Sequence, residues 1–465
     1  MAERRGQRRR PPTGGGRGRP ATVDVPRLAA YQVLRTVRAD DAYANLVLPT
    51  VIAHHALDPR DAGFVTELAS GTLRWRGTYD AVLGQCVDRP LSKVAAPVLD
   101  VLRLGVHQLL AMRVPTHAAI STSVDLARSV ANPGAAGFVN AVLRAAAGDD
   151  LDGWIARLAP DPVPTSTRHE EIRFSHPGWI VEELRRAVGA EELHALLAAD
   201  NVPPAVTLVA RPGRAERAEL PGEPTPYSPF GVTAAGGAPG AIPAVAEGRA
   251  GVQDEGSQLI AIALAEAEVD GRDERWVDLC AGPGGKAALL AALAARRGAA
   301  VLAVEPQPHR ARLVERALAG SDGVSGVVVA DGRHVPIAPA SADRVLVDAP
   351  CTGLGALRRR PESRWRRRPD DLVELVLLQR ALLGAALDAV RPGGVGLYST
   401  CSPGLAGAGG VVSSVVEARA DVAIEDVAAL LPQVPDCEGP LPGTVQLWPH
   451  RHGTDAMFLA LLRRS

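Results

Sequence analysis

Cysteine is scarce in this chain: five residues in 465, at Cys86, Cys280, Cys351, Cys401 and Cys437. Five is too few and too odd a number for a disulfide framework, and no C-x-x-C or Cys/His spacing suggests a metal site. A reducing, cytoplasmic setting is the expectation. Long apolar runs are also missing. Nothing approaches the roughly 18 residues that span a bilayer, so no membrane partner is expected. The N-terminus, "MAERRGQRRRPPTGGGRGRP", is basic but has no apolar stretch after it, which argues against a signal peptide. An excess of one charge is absent too: 51 basic and 52 acidic residues leave a net charge of −1. Bulk charge is therefore silent about nucleic acid. Nearly all the basic residues are Arg, and they cluster at 4–19 and at 358–368, "RRRPESRWRRR".

What is present divides the chain into segments. The length suits two to four domains. Residues 1–25, rich in Arg, Gly and Pro, predict a disordered basic tail, either an RNA-touching arm or a solvated one. Residues 26–150 predict an all-helical domain. "RLAAYQVLRTV", "APVLDVLRLGVHQLLAM" and "AAISTSVDLARSV" repeat apolar residues every three or four positions, and strand-like alternation is absent. Residues 151–170, ending in the Pro- and Asp-rich "LAPDPVPTSTRHE", predict a linker. Residues 171–250 predict a small α+β module, with helices at "PGWIVEELRRAVG" and "AEELHALLAAD" and a strand at "AVTLVA". From 251 to 465 the rhythm becomes strand, loop, helix. "RWVDLC", "AVLAVE", "GVVVA", "DRVLVDAP" and "VGLYST" predict a Rossmann-like, doubly wound parallel sheet, with ligands beyond the carboxyl ends of its strands.

"VDLCAGPGGKAALLAALAA" (277–295) reads as a strand, a glycine turn and a helix, whose N-terminal N–H groups and close backbone suit an anion or nucleotide. Gly282, Gly284 and Ala287 satisfy the loose G-x-G-x-x-G/A pattern. A Walker loop is excluded, because Cys280 stands where its first Gly belongs and Ala287 follows the Lys. Glu305, 20 residues after Gly285, can accept ribose hydroxyls, and Asp331, ending "VVVAD", can read an adenine. Each acid taken singly could instead cap a helix, but together at successive strand ends they point to a bound nucleotide. An NAD-dependent oxidoreductase and an S-adenosyl-L-methionine methyltransferase fit these features alike.

The cysteines discriminate. Cytosine C5 is too weak a nucleophile to attack a methyl sulfonium unaided, whereas a thiolate added at C6 makes the ring enamine-like. "DAPCTG" at 348–353 supplies Asp348 and Cys351, and "STCS" at 399–402 supplies Cys401. Neighbouring parallel strands lie about 5 Å apart, so residues at two adjacent tips can flank one base. Buried packing thiols are the alternative. Cys280 falls in the glycine loop, as a cofactor-lining residue. Cys86 and Cys437 carry no motif and read as structural.

These stretches resemble the bacterial ribosomal-RNA cytosine-C5 methyltransferases of the RsmB (Sun, Fmu) type. The resemblance rests on "GVQDEGSQL", "DLCAGPGGK", "DRVLVDAPCTGLGALRRRPESRW" and "LYSTCSP", and extends to "ELASGTLR", "LRLGVHQLL", "PTHAAISTSVDLA" and "GFVNAVLR", which look like a NusB-type helical RNA-binding domain. It implies Cys401 as nucleophile, Cys351 as the aid to product release, and Asp348 holding both the cytosine and the sulfonium end of the cofactor. Cys280, Ala281, Gly282, Pro283, Gly284, Gly285 and Lys286, with Glu305 and Asp331, would bind S-adenosyl-L-methionine. It also implies RNA contact by the α+β module, and as partner 16S ribosomal RNA or a small-subunit assembly intermediate, met by a monomer. One departure stands out. The family usually carries a Glu shortly after "TCS", where this chain reads "PGLAGAGGVV", with Gly407 or a neighbour at that place. The Arg-rich stretch beside Trp365 suits phosphate contact and base stacking, with a solvated charged face as the alternative. Two rivals remain at this point: a methyltransferase for DNA or a small molecule, and a non-enzymatic RNA-binding assembly factor.

Overall fold

The computed structural model describes residues 23–160, 166–334 and 337–465. The basic tail therefore lies outside the described residues, except for its last three positions. Among those, Asp24 caps the first helix, Val25–Ala39, by accepting from the Arg27 backbone N–H, and Pro26 sits in the first turn, where its missing N–H costs nothing.

Helices fill the segment up to Ala146. Val25–Ala39, Pro59–Arg74, Ala96–Leu110, Thr116–Val130 and Ala135–Ala146 pack around one core. On the first of them Ala29, Ala30, Val33, Leu34 and Val37 are buried, one apolar stripe at helical spacing. Each large aliphatic side chain placed there contributes about 1.5–3 kcal/mol. The stretch 151–170, expected to be a linker, is partly helical. Asp150 caps the helix Leu151–Leu158, and Trp154 is buried with its indole N–H donating to the Ala146 carbonyl. One buried tryptophan anchors this turn, so the Pro-rich stretch begins only after it.

Three helices (Arg168–Phe174, Gly178–Val188, Ala190–Ala199) then precede a small antiparallel sheet of β1 (Thr207–Ala210), β2 (Gly222–Pro224), β3 (Gly231–Ala234) and β4 (Ala250–Val252), in the order β2-β3-β1-β4. The second, eight-stranded sheet is built from β5 (Arg275–Asp278), β6 (Ala300–Val304), β7 (Val324–Val328), β8 (Ala342–Asp348), β9 (Val390–Thr400), β10 (Val422–Glu425), β11 (Val445–Gln446) and β12 (Phe458–Arg464). Its order is β10-β12-β9-β8-β5-β6-β7, with β11 paired to β12.

The sheet is mixed, a correction to the all-parallel expectation. β7, β6, β5, β8 and β9 run parallel, but β12 pairs antiparallel with β9, and β10 and β11 pair antiparallel with β12. β12 enters from the sharp turn at Gly453 (φ +70°) rather than over a crossover helix, so it can take the opposite direction. Its run Phe458–Leu462 is wholly buried between β9 and β10. β8 and β9 consequently lie in the middle of the sheet, in the register Asp348 opposite Ser399. That register brings the two cysteine-bearing tips together.

Candidate active site

Past that pair of residues the chains diverge by a few positions and then hold each other. The Gly355 N–H donates to the Cys401 carbonyl (2.8 Å), and the Thr352 and Ser402 hydroxyls share a hydrogen bond (2.7 Å). The Cys351 and Cys401 Sγ atoms stand 3.2 Å apart. The hydrogen bond shared by the two thiols holds Cys351 below its usual range, and the same bond, added to burial, pushes Cys401 well up. The pair therefore gives up its first proton more easily than its second.

Asp348, at the end of β8, receives the Lys286 ammonium (2.8 Å) and the Ser399 hydroxyl (3.3 Å). Burial alone would depress Lys286, but the Asp348 carboxylate outweighs it and keeps the ammonium above its ordinary value. Lys286 thus stands between the glycine loop and the cysteine tips.

The loop from Cys280 to Lys286 leaves β5 and enters the helix Gly285–Ala295. Ala281 N–H donates to the Val304 carbonyl, and the Arg310 guanidinium to the Gly282 carbonyl. Pro283 lies between two glycines that the packing requires. A Cβ on Gly282 would fall 2.1 Å from Glu305 Oε2, and Gly284 has φ +113° with Ala317 Cβ 2.6 Å from a would-be Cβ. Burial, and after it the Asp278 and Asp348 carboxylates, push the Cys280 thiol far up, so it stays protonated. Glu305, 2% exposed, accepts from the Gln307 N–H and has the Arg310 side chain at 3.6 Å. Asp331 shares none of these hydrogen bonds and pairs with Arg333 instead. It is partly exposed, gripped by Arg333 at 2.6 and 3.0 Å, and that bond with the Arg333 N–H lowers its carboxyl to about 2.

Two side chains that sequence reasoning left out stand in the same site. Asp278 ends β5, is fully buried, and is pushed up to about 7 by burial and then by Asp348. Its Oδ1 accepts from the Cys280 N–H, while Oδ2 has no hydrogen-bond partner among the described residues. Its position directly before the glycine turn was a usable signal. Gln379 reaches in from the helix Asp371–Ala389, donating to the Pro350 carbonyl at 2.8 Å. Nothing in the linear sequence pointed to it.

Most of the Arg-rich segment turns inward, where a surface patch was expected, and Arg368 is exposed. Arg358 and Arg359 pair with the buried Asp254 and Asp455. Arg364 is fully buried, donating to the Ser175 and Arg74 carbonyls and to Asn201 Oδ1. The Trp365 indole donates to the Leu73 carbonyl, Arg366 binds the Val37 and Ala42 carbonyls, and Arg360 lies over the Tyr43 ring. Arg367 turns the other way, donating to the Thr352 carbonyl beside Cys351. These cations stitch the catalytic loop to the helical segment, and backbone carbonyls and carboxylates take up their hydrogen bonds.

A glycine-turn nucleotide cradle at the tips of a parallel sheet closed by an antiparallel β12 is the architecture of an S-adenosylmethionine-dependent methyltransferase. Residues 263–463 match the family described as 16S rRNA methyltransferase RsmB/F, and residues 24–148 match the NusB family. The ribosomal RNA small subunit methyltransferase B of Pseudomonas putida is 33% identical over 392 residues, covering 81% of this chain and 85% of that one. A Mycobacterium tuberculosis chain, Rv1407, whose description goes no further than methyltransferase, is 50% identical over 461 residues, covering 98% and 99%. The crystal structure of PH0851 has the same fold, with a TM-score of 0.78 at 23% identity over 96% of this chain and 99% of that one. The chain belongs to the RsmB/F family of ribosomal-RNA methyltransferases, with a NusB-family N-terminal segment.

Proposed function

We propose that this chain methylates C5 of a cytosine in ribosomal RNA, the small-subunit RNA in particular, through a covalent Cys401–C6 bond. The observation that carries the reading is the pair of thiols 3.2 Å apart beside the Asp348–Lys286 ion pair. A methyltransferase acting on an already nucleophilic atom has no use for two cysteines at one point.

The residues present fit S-adenosylmethionine. Gly282 and Gly284 leave a cradle that a Cβ would fill, Asp278 offers an unpaired buried oxygen, and the Glu305 carboxylate suits ribose hydroxyls. The loop Cys280–Lys286, Glu305 and Asp348 would hold it, and Asp331 would join them by exchanging Arg333 for the adenine, since an exposed ion pair is worth little. Bound there, the cofactor supplies an electrophilic methyl group.

Cys401 Sγ gives its proton to solvent and forms a bond to C6, and the electron pair of the C5–C6 π bond becomes the nucleophilic pair at C5. Asp348 accepts from the N4 amino group and orients the ring. After C5 carries the methyl group, Cys351 removes the C5 proton. The electrons of that C–H bond restore the double bond, and Cys401 leaves as thiolate. Attack and release make opposite demands, which accounts for two cysteines rather than one. The NusB-like segment would supply RNA contacts, in the reducing cytoplasm where both thiols stay free.

Bisulfite sequencing of ribosomal RNA from a deletion strain tests the reading. One protected cytosine should become convertible and regain protection when the wild-type gene is restored, but not with Cys401→Ser. An unchanged protection pattern in the deletion strain would rule out the assignment.

A further inference from the structure

Gln379 is 2% exposed and lies on the helix Asp371–Ala389, outside the loops that carry the reactive groups. Its Nε2 donates to the Pro350 carbonyl (2.8 Å), the peptide that leads directly into Cys351. Its Oε1 has no partner among the described residues and faces the backbone of Gly407, 3.2 Å from where a Cβ there would be. The amide cannot be turned round, because that would set two acceptor oxygens against each other. Only the donor end is used, and a buried acceptor is left unpaired to use it. An apolar side chain would fill the same space without that cost.

The neighbouring contact is of the same kind. The buried Tyr398 hydroxyl donates to the Gly407 carbonyl (2.7 Å) and so restrains the loop after Cys401. Each cysteine loop thus has a buried side-chain donor on one of its backbone carbonyls.

We propose that Gln379 is a positioning residue for Cys351: its hydrogen bond to the Pro350 carbonyl fixes the Pro350–Cys351 peptide so that the Cys351 thiol meets the C5 proton, while Asp348 is held separately by Lys286 and Ser399. This rests on the two-cysteine reading above. It assigns Gln379 to product release, with attack by Cys401 and cofactor binding independent of it.

The test uses the full-length protein with S-adenosylmethionine and labelled ribosomal RNA, scoring turnover and covalent protein–RNA adduct on denaturing gels. Q379L should lower turnover about fivefold to tenfold, the worth of one buried hydrogen bond. It should raise trapped adduct at every pH while leaving cofactor affinity unchanged. Q379E adds a readout that a merely structural role would not give. Its protonated carboxyl can donate to Pro350 as the amide does, whereas its carboxylate repels that oxygen. Q379E should therefore release product at low pH and accumulate adduct as the pH rises. C351A is the control. If C351A traps no adduct, the two-cysteine reading fails and the inference with it. If C351A traps adduct but Q379L does not, or if Q379E and Q379L share one pH profile, the role of Gln379 alone is overturned.

Discussion

A thiol attacks carbon only as the thiolate, so the contact between Cys351 and Cys401 bears on both steps of the proposed reaction. Cys401 is held up first by the hydrogen bond it shares with Cys351 and then by burial. In Cys351→Ala the first cause is gone, so the Cys401 thiol should ionise at lower pH. The pH midpoint of its alkylation by iodoacetamide, read by mass spectrometry, should move down; a move upward would mean that Cys351 assists Cys401 instead. Elsewhere in the site the glycine loop and Glu305 share one volume. Glu305→Ala should weaken S-adenosylmethionine binding by ~1.5–3 kcal/mol through loss of charge-assisted hydrogen bonds. Gly282→Ala should weaken it as well, because its Cβ displaces Glu305. Calorimetry checks both, and unchanged affinity in both variants would remove Glu305 from the cofactor site.

At the scale of elements, the chain showed its sheet and its glycine turn but not its seams. The apolar runs ending in Asp278, Glu305, Asp348 and Cys401 were legible because short runs between helical segments have few other solutions. β12 was not, since "FLALLRR" is an apolar run without a crossover helix to give its direction. The inward pairing of most of the Arg cluster was hidden for a different reason. Composition says how many cations there are, but their partners Asp254, Asp455, Ser175 and Asn201 are far away in sequence. Arg359→Ala should leave the salt dependence of RNA binding unchanged. It should lower stability by about 1.5–3 kcal/mol, the worth of a charge-assisted hydrogen bond, since two buried carboxylates lose one of their two cations and keep Arg358. Denaturant unfolding and binding titrations at several salt concentrations separate these outcomes. A changed salt slope with unchanged stability would restore the RNA-facing role.

For the whole molecule, the joint around Arg364 ties three parts of the chain together. Its guanidinium donates to Arg74 in the helical segment and to Ser175 and Asn201 in the segment that follows. Asp200 is buried in this joint, with neither carboxyl oxygen hydrogen-bonded among the described residues. Burial raises it to about 7, in spite of the lowering effect of Arg364 and Arg358. His176, 3.5 Å away, is held far below its usual range by burial and by Arg364, so it stays neutral and offers no cation. The folded chain therefore binds the Asp200 proton more tightly than the unfolded chain does. Its contribution is full below about pH 4 and is lost as the pH rises through about 7, with an upper limit of roughly 4 kcal/mol. Wild-type Tm should fall more between pH 5 and pH 8 than that of Asp200→Asn. Parallel profiles would show that Asp200 is not protonated in the fold.

The division of labour between the two thiols is the central claim, and one gel tests it most directly. Wild type, Cys351→Ala, Cys401→Ala and the double variant are incubated with S-adenosylmethionine and labelled ribosomal RNA, then run under denaturing conditions. Cys351→Ala should attack, methylate and stall, giving a shifted protein–RNA band. Cys401→Ala and the double variant should give none. A shifted band in Cys401→Ala, or no band in Cys351→Ala despite lost turnover, would contradict the account.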